Sequence, residues 1–275
     1  MAYKNLTIRG KTDGFGCQWN AKLSGMAVCY NSGGKLRYVH TPFTTVSHGW
    51  RDELEVEAIN KFVGVPDNRI GKKLHVVQRF NSKVFANPSG YYSDYVLDKI
   101  RSHYWSTEKP DPSDCEIVVH IRRGDIQPHR GGDRRQRHMK NDWYNRVLPR
   151  IVAKYPSHYK MAIYSEGLFE EFAPIIENWP KDLIDRTVFR LADPNMSFQE
   201  YDMLTAYHHF VTAKVFIMSK SGLSYTAGIF NKSNDIYFVG SRARGQRLPL
   251  RHWINGWQQD FDMNFPARAI EKNKN

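Results

Sequence analysis

The sequence of 275 residues predicts an α/β protein with mainly parallel sheets and helices on both faces. Short apolar runs such as Ile117 to Ile121 alternate with segments of helical spacing, which is typical of parallel strands joined by crossover helices. The composition is 41% hydrophobic, which is enough for a sizeable core. The segment from Lys109 to Asp114 holds two prolines and no apolar residue, so we predict a linker there, between domains at residues 1–112 and 113–275.

In the first domain, a strand leads through a glycine-containing turn into a helix. The helix is predicted because apolar residues recur at the spacing of one helical face from Trp19 to Tyr30. It stops at the turn Asn31-Ser-Gly-Gly34. We predict strands at residues 3–8 and 36–40, and helices at 19–30, 53–62 and 91–105.

In the second domain, the strand at residues 117–121 begins a regular alternation of strands and helices. Further strands are predicted at 159–165, 187–191, 215–218 and 236–239, and helices at 143–154, 168–178, 198–210 and 225–230. The strand at 236–239 is expected to be the last. The tail beyond it contains Trp253, Trp257 and Phe261, so we expect this segment to pack back onto the domain.

The chain is basic, with a formal net charge of +12. This charge permits nucleic acid, anionic membrane surfaces or phosphorylated small molecules as partners. The densest patch runs from His129 to Lys140 and follows the strand at 117–121 directly. We therefore interpret it as an active-site loop and expect no nucleic-acid partner; a basic nucleic-acid-binding protein remains the alternative from another class.

Several function classes are not supported by the sequence. No run of 18 apolar residues predicts a membrane span, and the first residues lack the apolar region of a signal peptide. The three cysteines (Cys17, Cys29 and Cys115) show neither metal-ligand spacing nor a disulfide pattern. We expect a cytoplasmic protein without a membrane span.

The most informative segment is Ile117-Val-Val-His-Ile-Arg-Arg-Gly-Asp125. A buried strand here delivers two arginines, a glycine and a carboxylate to the edge of the sheet where ligands bind in α/β proteins. Arginine presents a planar fork of donors with a fixed charge, which suits a diphosphate. A solvated charged turn is the bland alternative, but His120 beside Arg122, Arg123 and Asp125 favours a site.

A glycine turn, Asp13-Gly-Phe-Gly-Cys-Gln18, lies between the first strand and the first helix. Glycines allow close approach of the backbone to a ligand, and a helix N-terminus favours an anion. The turn does not match the dinucleotide pattern GxGxxG, because Trp19 occupies the third glycine position. Taken alone, it is also explained as a tight structural turn.

Two further turns follow predicted strands. The serine turn, Ser219-Lys-Ser-Gly-Leu-Ser224, offers hydroxyls and helix-start amides that can receive phosphate oxygens, although one serine could simply cap the helix. It fails the G-x-S-x-G pattern of hydrolases. Glu166 is a candidate contact for a ribose or a base, or it starts the next helix. No glycine-rich Walker loop is present, and we predict no metal site.

Together these positions resemble the fucosyltransferase superfamily, which includes the α1,6- and α1,2-fucosyltransferases and the protein O-fucosyltransferases. His120-Ile-Arg-Arg-Gly-Asp125 matches the H-x-R-R-x-D motif. Gly14-Phe-Gly-Cys-Gln18 looks like the GYGCQ turn of the α1,6 enzymes. The segment from Met218 to Ala227 looks like the C-terminal donor-site motif.

The resemblance implies a GT-B-like pair of Rossmann-type domains, with the acceptor on the N-terminal domain and the nucleotide sugar on the C-terminal one. It also implies metal-independent, inverting transfer from GDP-fucose to an oligosaccharide or glycoprotein glycan. Transfer of another sugar, such as xylose from UDP-xylose, and a degenerate domain that only binds glycans are the alternatives. By the same resemblance, the donor would be held by Arg122, Arg123, His120 and Asp125, by Gly14, Phe15 and Gly16, and by Ser219, Ser221 and Ser224.

The catalytic base is the least defined part of the resemblance. The α1,6 enzymes carry a glutamate about ten residues after the motif histidine, and this chain has Arg130 there. His129, Asp133 and Asp125 are the candidate substitutes, since each could accept the proton of an acceptor hydroxyl.

Overall fold

A computed structural model shows the chain as two compact units, and the main change from one to the other falls between Pro110 and Asp111. The first unit comprises Met1–Pro110, Tyr225–Phe230 and Pro249–Arg251; the second comprises Asp111–Ser224, Asn231–Leu248 and His252–Asn275. The structure describes residues 3–46, 56–69, 71, 73–78, 80–112, 114–126, 137–192, 202–239, 250 and 253–255.

The first unit contains a parallel sheet of three described strands. They are β1 (Lys4–Ile8), β2 (Leu36–Tyr38) and β3 (Leu74–Val77), in the order β2-β1-β3. The sequence did not predict β3. None of its side chains is fully buried, and Val76 is 53% exposed, so β3 is not the buried core strand that an apolar run predicts.

The helices of the first unit surround a long central helix, α1 (Phe15–Tyr30), which begins four residues before the predicted start at Trp19. Almost every residue of α1 is buried, since it contacts β1, β2 and two other helices. Within this unit the Trp19 ring stacks on Phe230, with centroids 5.9 Å apart. The other helices are α2 (Val56–Val63), α3 (Asn81–Ala86), α4 (Pro88–Tyr91) and α5 (Asp94–Tyr104).

The second unit contains a parallel sheet of six described strands in the order β6-β5-β4-β7-β8-β9. Counted from the first strand of this unit, the order is 3-2-1-4-5-6, which is that of the doubly wound Rossmann sheet. The strands are β4 (Ile117–His120), β5 (Met161–Glu166), β6 (Thr187–Ala192), β7 (Val215–Ile217), β8 (Asp235–Phe238) and β9 (Trp253–Asn255).

Two predictions for this unit were wrong. The strand at 236–239 is not the last, because the tail adds β9 beside β8. The predicted helix at 168–178 is broken into a 3₁₀ turn, Phe169–Glu171, and the short helix α7 (Ala173–Ile176). Pro174 has no amide hydrogen to donate to the preceding turn, so it starts a new helix.

Helices cover both faces of the six-stranded sheet. Ile117, Val119 and Ile121 point to the face that carries α6 (Asn141–Val152), whereas His120 points to the opposite face and stacks on Phe210. The prediction of an α/β fold with parallel sheets is confirmed. The remaining helices of the unit are α8 (Lys181–Asp185), α9 (Met203–Thr212) and the start of α10 (Gly222–Phe230).

Across the described ranges, no helix is both long and apolar enough to cross a membrane.

Candidate functional site at the carboxyl edge of the second sheet

The predicted site residues of the second unit come from both sides of the point where the strand order reverses. β4 and β7 are neighbours, and the chain winds outward from them in opposite directions. A crevice forms at the carboxyl ends of two such strands, and it is the usual ligand site of a doubly wound sheet. His120 ends β4, and Ser219 follows β7 by two residues.

His120, Ser219 and Ser224 form one buried polar cluster at this edge. The imidazole Nδ1 lies 2.5 Å from the Ser224 hydroxyl and 3.2 Å from the Ser219 hydroxyl. The backbone amide of Ser219 also donates to the Ser224 hydroxyl, at 3.3 Å. Ser224 is 0% exposed, and the cluster holds the serine turn against the end of β4. A donor-binding role of Ser219 and Ser224 stays a prediction.

Ser221 has a different role from the other two serines. It is partly exposed, and its hydroxyl accepts the amide hydrogen of Leu223 at 3.2 Å, as a helix N-cap does. It is therefore the one serine of the three predicted that lies at the surface of the described turn.

The two adjacent arginines point to different environments. Arg122 forms an ion pair with Asp125, and the two side chains are 13% and 28% exposed. This pair lies just beyond β4, beside the switch point. Arg122 therefore keeps some solvent access at the edge where a ligand would bind.

The sequence suggested that Arg123 presents its guanidinium to a ligand. In the structure this guanidinium is not exposed to solvent. Arg123 is 5% exposed, donates to the Asn141 side chain and to the carbonyl of Arg122, and lies 5.8 Å from the centre of the Tyr144 ring. Burial lowers the pKa of Arg123. The reason is the alternation of successive side chains beyond the strand, which turns one arginine outward and the next toward α6.

Gly124 allows the chain to turn between these arginines and Asp125. Its φ of +70° lies in the left-handed region, which glycine adopts without strain. A Cβ added here would collide with the carboxylate of Glu166, the last residue of β5. Glu166 therefore lies against the turn that carries the arginines. The motif was predicted with this glycine, and the structure adds its left-handed backbone and its closeness to Glu166.

The glycine turn belongs to the first unit. Gly14 occupies the N-cap position of α1, and the Gln18 side chain closes the turn by donating to the carbonyls of Asp13 and Thr45, at 2.6 and 2.7 Å. Phe15 is 3% exposed and packs on other rings of the core, so its side chain has a packing role. Gly16 lies buried in the first helical turn, and a donor role for Gly14 and Gly16 stays a prediction.

The predicted bases His129 and Asp133 lie outside the described residues, as does most of the basic patch. Its described end contains His138, which the sequence analysis passed over. Burial, together with the nearby charge of Arg123, lowers the pKa of His138 to about 4. This imidazole is therefore neutral at pH 7.

The expectation of no metal stays a prediction. Among the described residues, no group of three or more histidine, cysteine, aspartate or glutamate side chains could hold a metal ion. The tail, however, contains an acidic triplet, Asp260-Phe-Asp262, beyond the last described residue. Carboxylates at this spacing can hold a divalent ion, so the sequence leaves this alternative open.

A second polar network lies beneath the site, on the face of the sheet covered by α9. The Tyr164 hydroxyl lies 2.9 Å from His209 Nδ1, and His209 Nε2 lies 2.8 Å from the carbonyl of Cys115. Arg190 donates to the Tyr164 hydroxyl at 2.7 Å and pairs with Asp114. With both ring nitrogens engaged and the ring buried, His209 is a packing residue.

Comparisons with protein-family models, characterised proteins and solved structures find no match for this chain.

Proposed function

We propose that the chain is a glycosyltransferase that moves fucose from GDP-fucose to a hydroxyl of a glycan, with inversion and without a metal. One observation carries this proposal: three distant segments, ending in His120, Glu166 and the serine turn, meet at the carboxyl edge of a doubly wound sheet. The arginine motif follows directly from the central strand of that edge. This edge is where a nucleotide binds in such sheets.

In this proposal Arg122 neutralises the diphosphate. A fixed positive charge beside the leaving group stabilises the negative charge that develops as the sugar departs. Asp125 orients the guanidinium through their ion pair. Arg123, which is buried against α6, is a positioning residue that holds the backbone of the turn.

Glu166 would recognise the nucleoside through hydrogen bonds to its carboxylate. An ionised carboxylate only accepts hydrogen bonds, so it suits ribose hydroxyls or the N–H groups of a guanine edge. Uracil offers a single N–H on that edge. A guanine nucleotide therefore fits this carboxylate better than a uridine nucleotide, which favours GDP-fucose over UDP-xylose.

The two units correspond to the two domains of a GT-B enzyme in this proposal, with the glycan acceptor on the first unit. His129 or Asp133 would accept the proton of the attacking hydroxyl. Replacing each by alanine tests this: the variant that lacks the base loses turnover but still binds the donor nucleotide.

A thermal-shift panel of GDP, UDP and CMP tests the donor assignment. A nucleotide at about 100 times its Kd stabilises the folded protein by about 2.7 kcal/mol and raises the melting temperature by several degrees. We expect the largest rise with GDP. Arg122→Ala should abolish the rise, whereas the matched variant Arg146→Ala, at an exposed position of the same unit, should keep it.

Transfer is measured with radiolabelled GDP-fucose and a mixture of glycans, with and without EDTA. Activity that survives EDTA supports the metal-independent mechanism. No rise with any nucleotide, or an equal rise for Arg122→Ala and the unmodified protein, would contradict the proposal. A rise with UDP alone would favour the xylose alternative.

A further inference from the structure

The first unit contains a cavity of about 430 Å³ beside the edge strand β2. We propose that this cavity binds a small planar ring compound that carries a carboxylate. The proposal concerns the first unit alone and does not depend on the nucleotide site of the second. Its main lining residues are Tyr3, Tyr30, Arg37, Tyr38, His40 and His103.

Six of the thirteen residues that line the cavity have aromatic rings. Tyr30 and His103 form one side, with the tyrosine hydroxyl 3.1 Å from His103 Nε2. Tyr38 and His40 form another part, with ring centroids 6.3 Å apart. Flat aromatic walls favour a flat ligand that can stack or meet them edge to face. The volume is within the range of small-molecule sites.

Arg37 supplies a cationic anchor at the rim. Its Nη1 donates to the Tyr3 hydroxyl at 3.0 Å, and its guanidinium lies 5.5 Å from the centre of the Tyr3 ring. This contact holds the side chain in place. Across the part of the chain that the structure describes, no carboxylate pairs with Arg37, and none of the lining residues is acidic. The rest of the guanidinium fork is suited to a ligand carboxylate.

His40 supplies a polar group deep in the cavity wall. It is 2% exposed, and its Nδ1 lies 3.5 Å from the Tyr38 hydroxyl, while Nε2 has no hydrogen-bond partner among the described residues. Burial, and then the charge of Lys22, lowers the pKa of His40 to about 3, so the ring is neutral. The His40 Nε2 is enclosed by protein atoms, so this residue contributes a neutral ring face to the cavity wall and no anchor for a ligand hydroxyl.

The test uses 4-hydroxybenzoate as the probe and 4-hydroxybenzamide as its neutral match in shape, with Kd measured by NMR titration. A charge-assisted hydrogen bond corresponds to roughly tenfold in affinity, so the amide should bind about tenfold more weakly. Arg37→Gln should weaken binding of the acid about tenfold and remove its advantage over the amide. The control Arg9→Gln, at another exposed arginine of the same unit, should change neither.

Equal affinity for the acid and the amide in the unmodified protein overturns the proposal, and so does the absence of saturable binding at millimolar concentration. The comparison of the two probes needs no variant, so it stays decisive if Arg37→Gln fails to fold. Binding of the acid that Arg37→Gln does not weaken also overturns the assignment. The nucleotide-induced thermal shift is measured separately, so failure of this cavity is distinguishable from failure of the proposed transferase.

Discussion

At the scale of single residues, two neighbouring arginines of one motif have different physical tasks. Arg122 keeps some exposure beside Asp125, whereas Arg123 is enclosed by Asn141 and Tyr144. Asn141 is itself held, because its side-chain amide donates to the carbonyl of Glu171 at 2.7 Å. The motif therefore combines a partly exposed, ion-paired arginine with an arginine that belongs to the core.

We expect Arg123→Ala to lower the free energy of unfolding by about 2–4 kcal/mol, because it leaves the Asn141 side chain and the Arg122 carbonyl without their donor. Arg122→Ala should cost about 1 kcal/mol, since its ion pair is partly exposed. Urea denaturation of both variants measures the difference. Equal losses would contradict the distinction between a positioning and a binding arginine.

Gly124→Ala should destabilise the protein for two reasons that can be separated. The left-handed φ of +70° costs an alanine about 1–2 kcal/mol, and the added Cβ also displaces the Glu166 carboxylate. Gly33→Ala is the control for the first cost alone, since Gly33 has a φ of +60° and open space around it.

The free energies of unfolding of the unmodified protein, Gly124→Ala, Glu166→Ala and the double variant form a double-mutant cycle. This cycle measures the coupling between the two positions. The alanine at 124 should cost no more than about 1–2 kcal/mol once Glu166 is shortened. If Gly124→Ala costs as much free energy of unfolding in the Glu166→Ala background as in the unmodified protein, the added Cβ and the Glu166 carboxylate do not collide as the structure indicates.

At the scale of elements, the serine turn at the start of α10 places its three serine hydroxyls in different environments. Ser219 and Ser224 face His120 inside the unit, while Ser221 caps the helix at the surface. β4 was predicted from its continuous apolar run. β3 was missed, and none of its side chains is fully buried; β9 was missed, and it lies in the tail beyond the last predicted strand.

Alanine at the two serines of this turn should have unequal effects. Ser221→Ala should cost about 1 kcal/mol, the usual value for a lost N-cap, and Ser221→Gly only a few tenths. Ser224→Ala should cost about 2–3 kcal/mol, because the amide of Ser219 and the ring of His120 lose a buried partner. Chemical denaturation compares them, and a Ser224→Ala loss no larger than that of Ser221→Ala would refute the cluster's structural role.

At the scale of the whole molecule, the buried histidines link stability to pH. Burial lowers the pKa of His40 to about 3 and that of His138 to about 4, and it also lowers the pKa of His209. These rings are neutral when folded but take up protons near pH 6.5 when unfolded. The stability that these histidines contribute should therefore be fully present above pH 6.5. It should fall as the pH is lowered toward the pKa values of the histidines in the folded protein.

We expect the contribution of His40 to fall by about 2 kcal/mol between pH 6.5 and pH 5, at 1.36 kcal/mol for each pH unit. Chemical denaturation of the unmodified protein and of His40→Gln at both pH values isolates the contribution of His40 to the free energy of unfolding. The variant should lose less stability on acidification than the unmodified protein. A parallel loss in both would mean that His40 titrates normally in the folded state.

Local sequence was enough to predict the parallel α/β class, the long helix that ends at Tyr30 and the arginine motif after a buried strand. These features follow from apolar runs, periodicity and turn residues, which are local properties. Three further features depend on tertiary packing: Arg123 turns inward, Glu166 lies against Gly124 and Ser224 meets His120. Each of these contacts joins residues far apart in the chain, and strand order and packing, which bring such residues together, leave no local signal in the sequence.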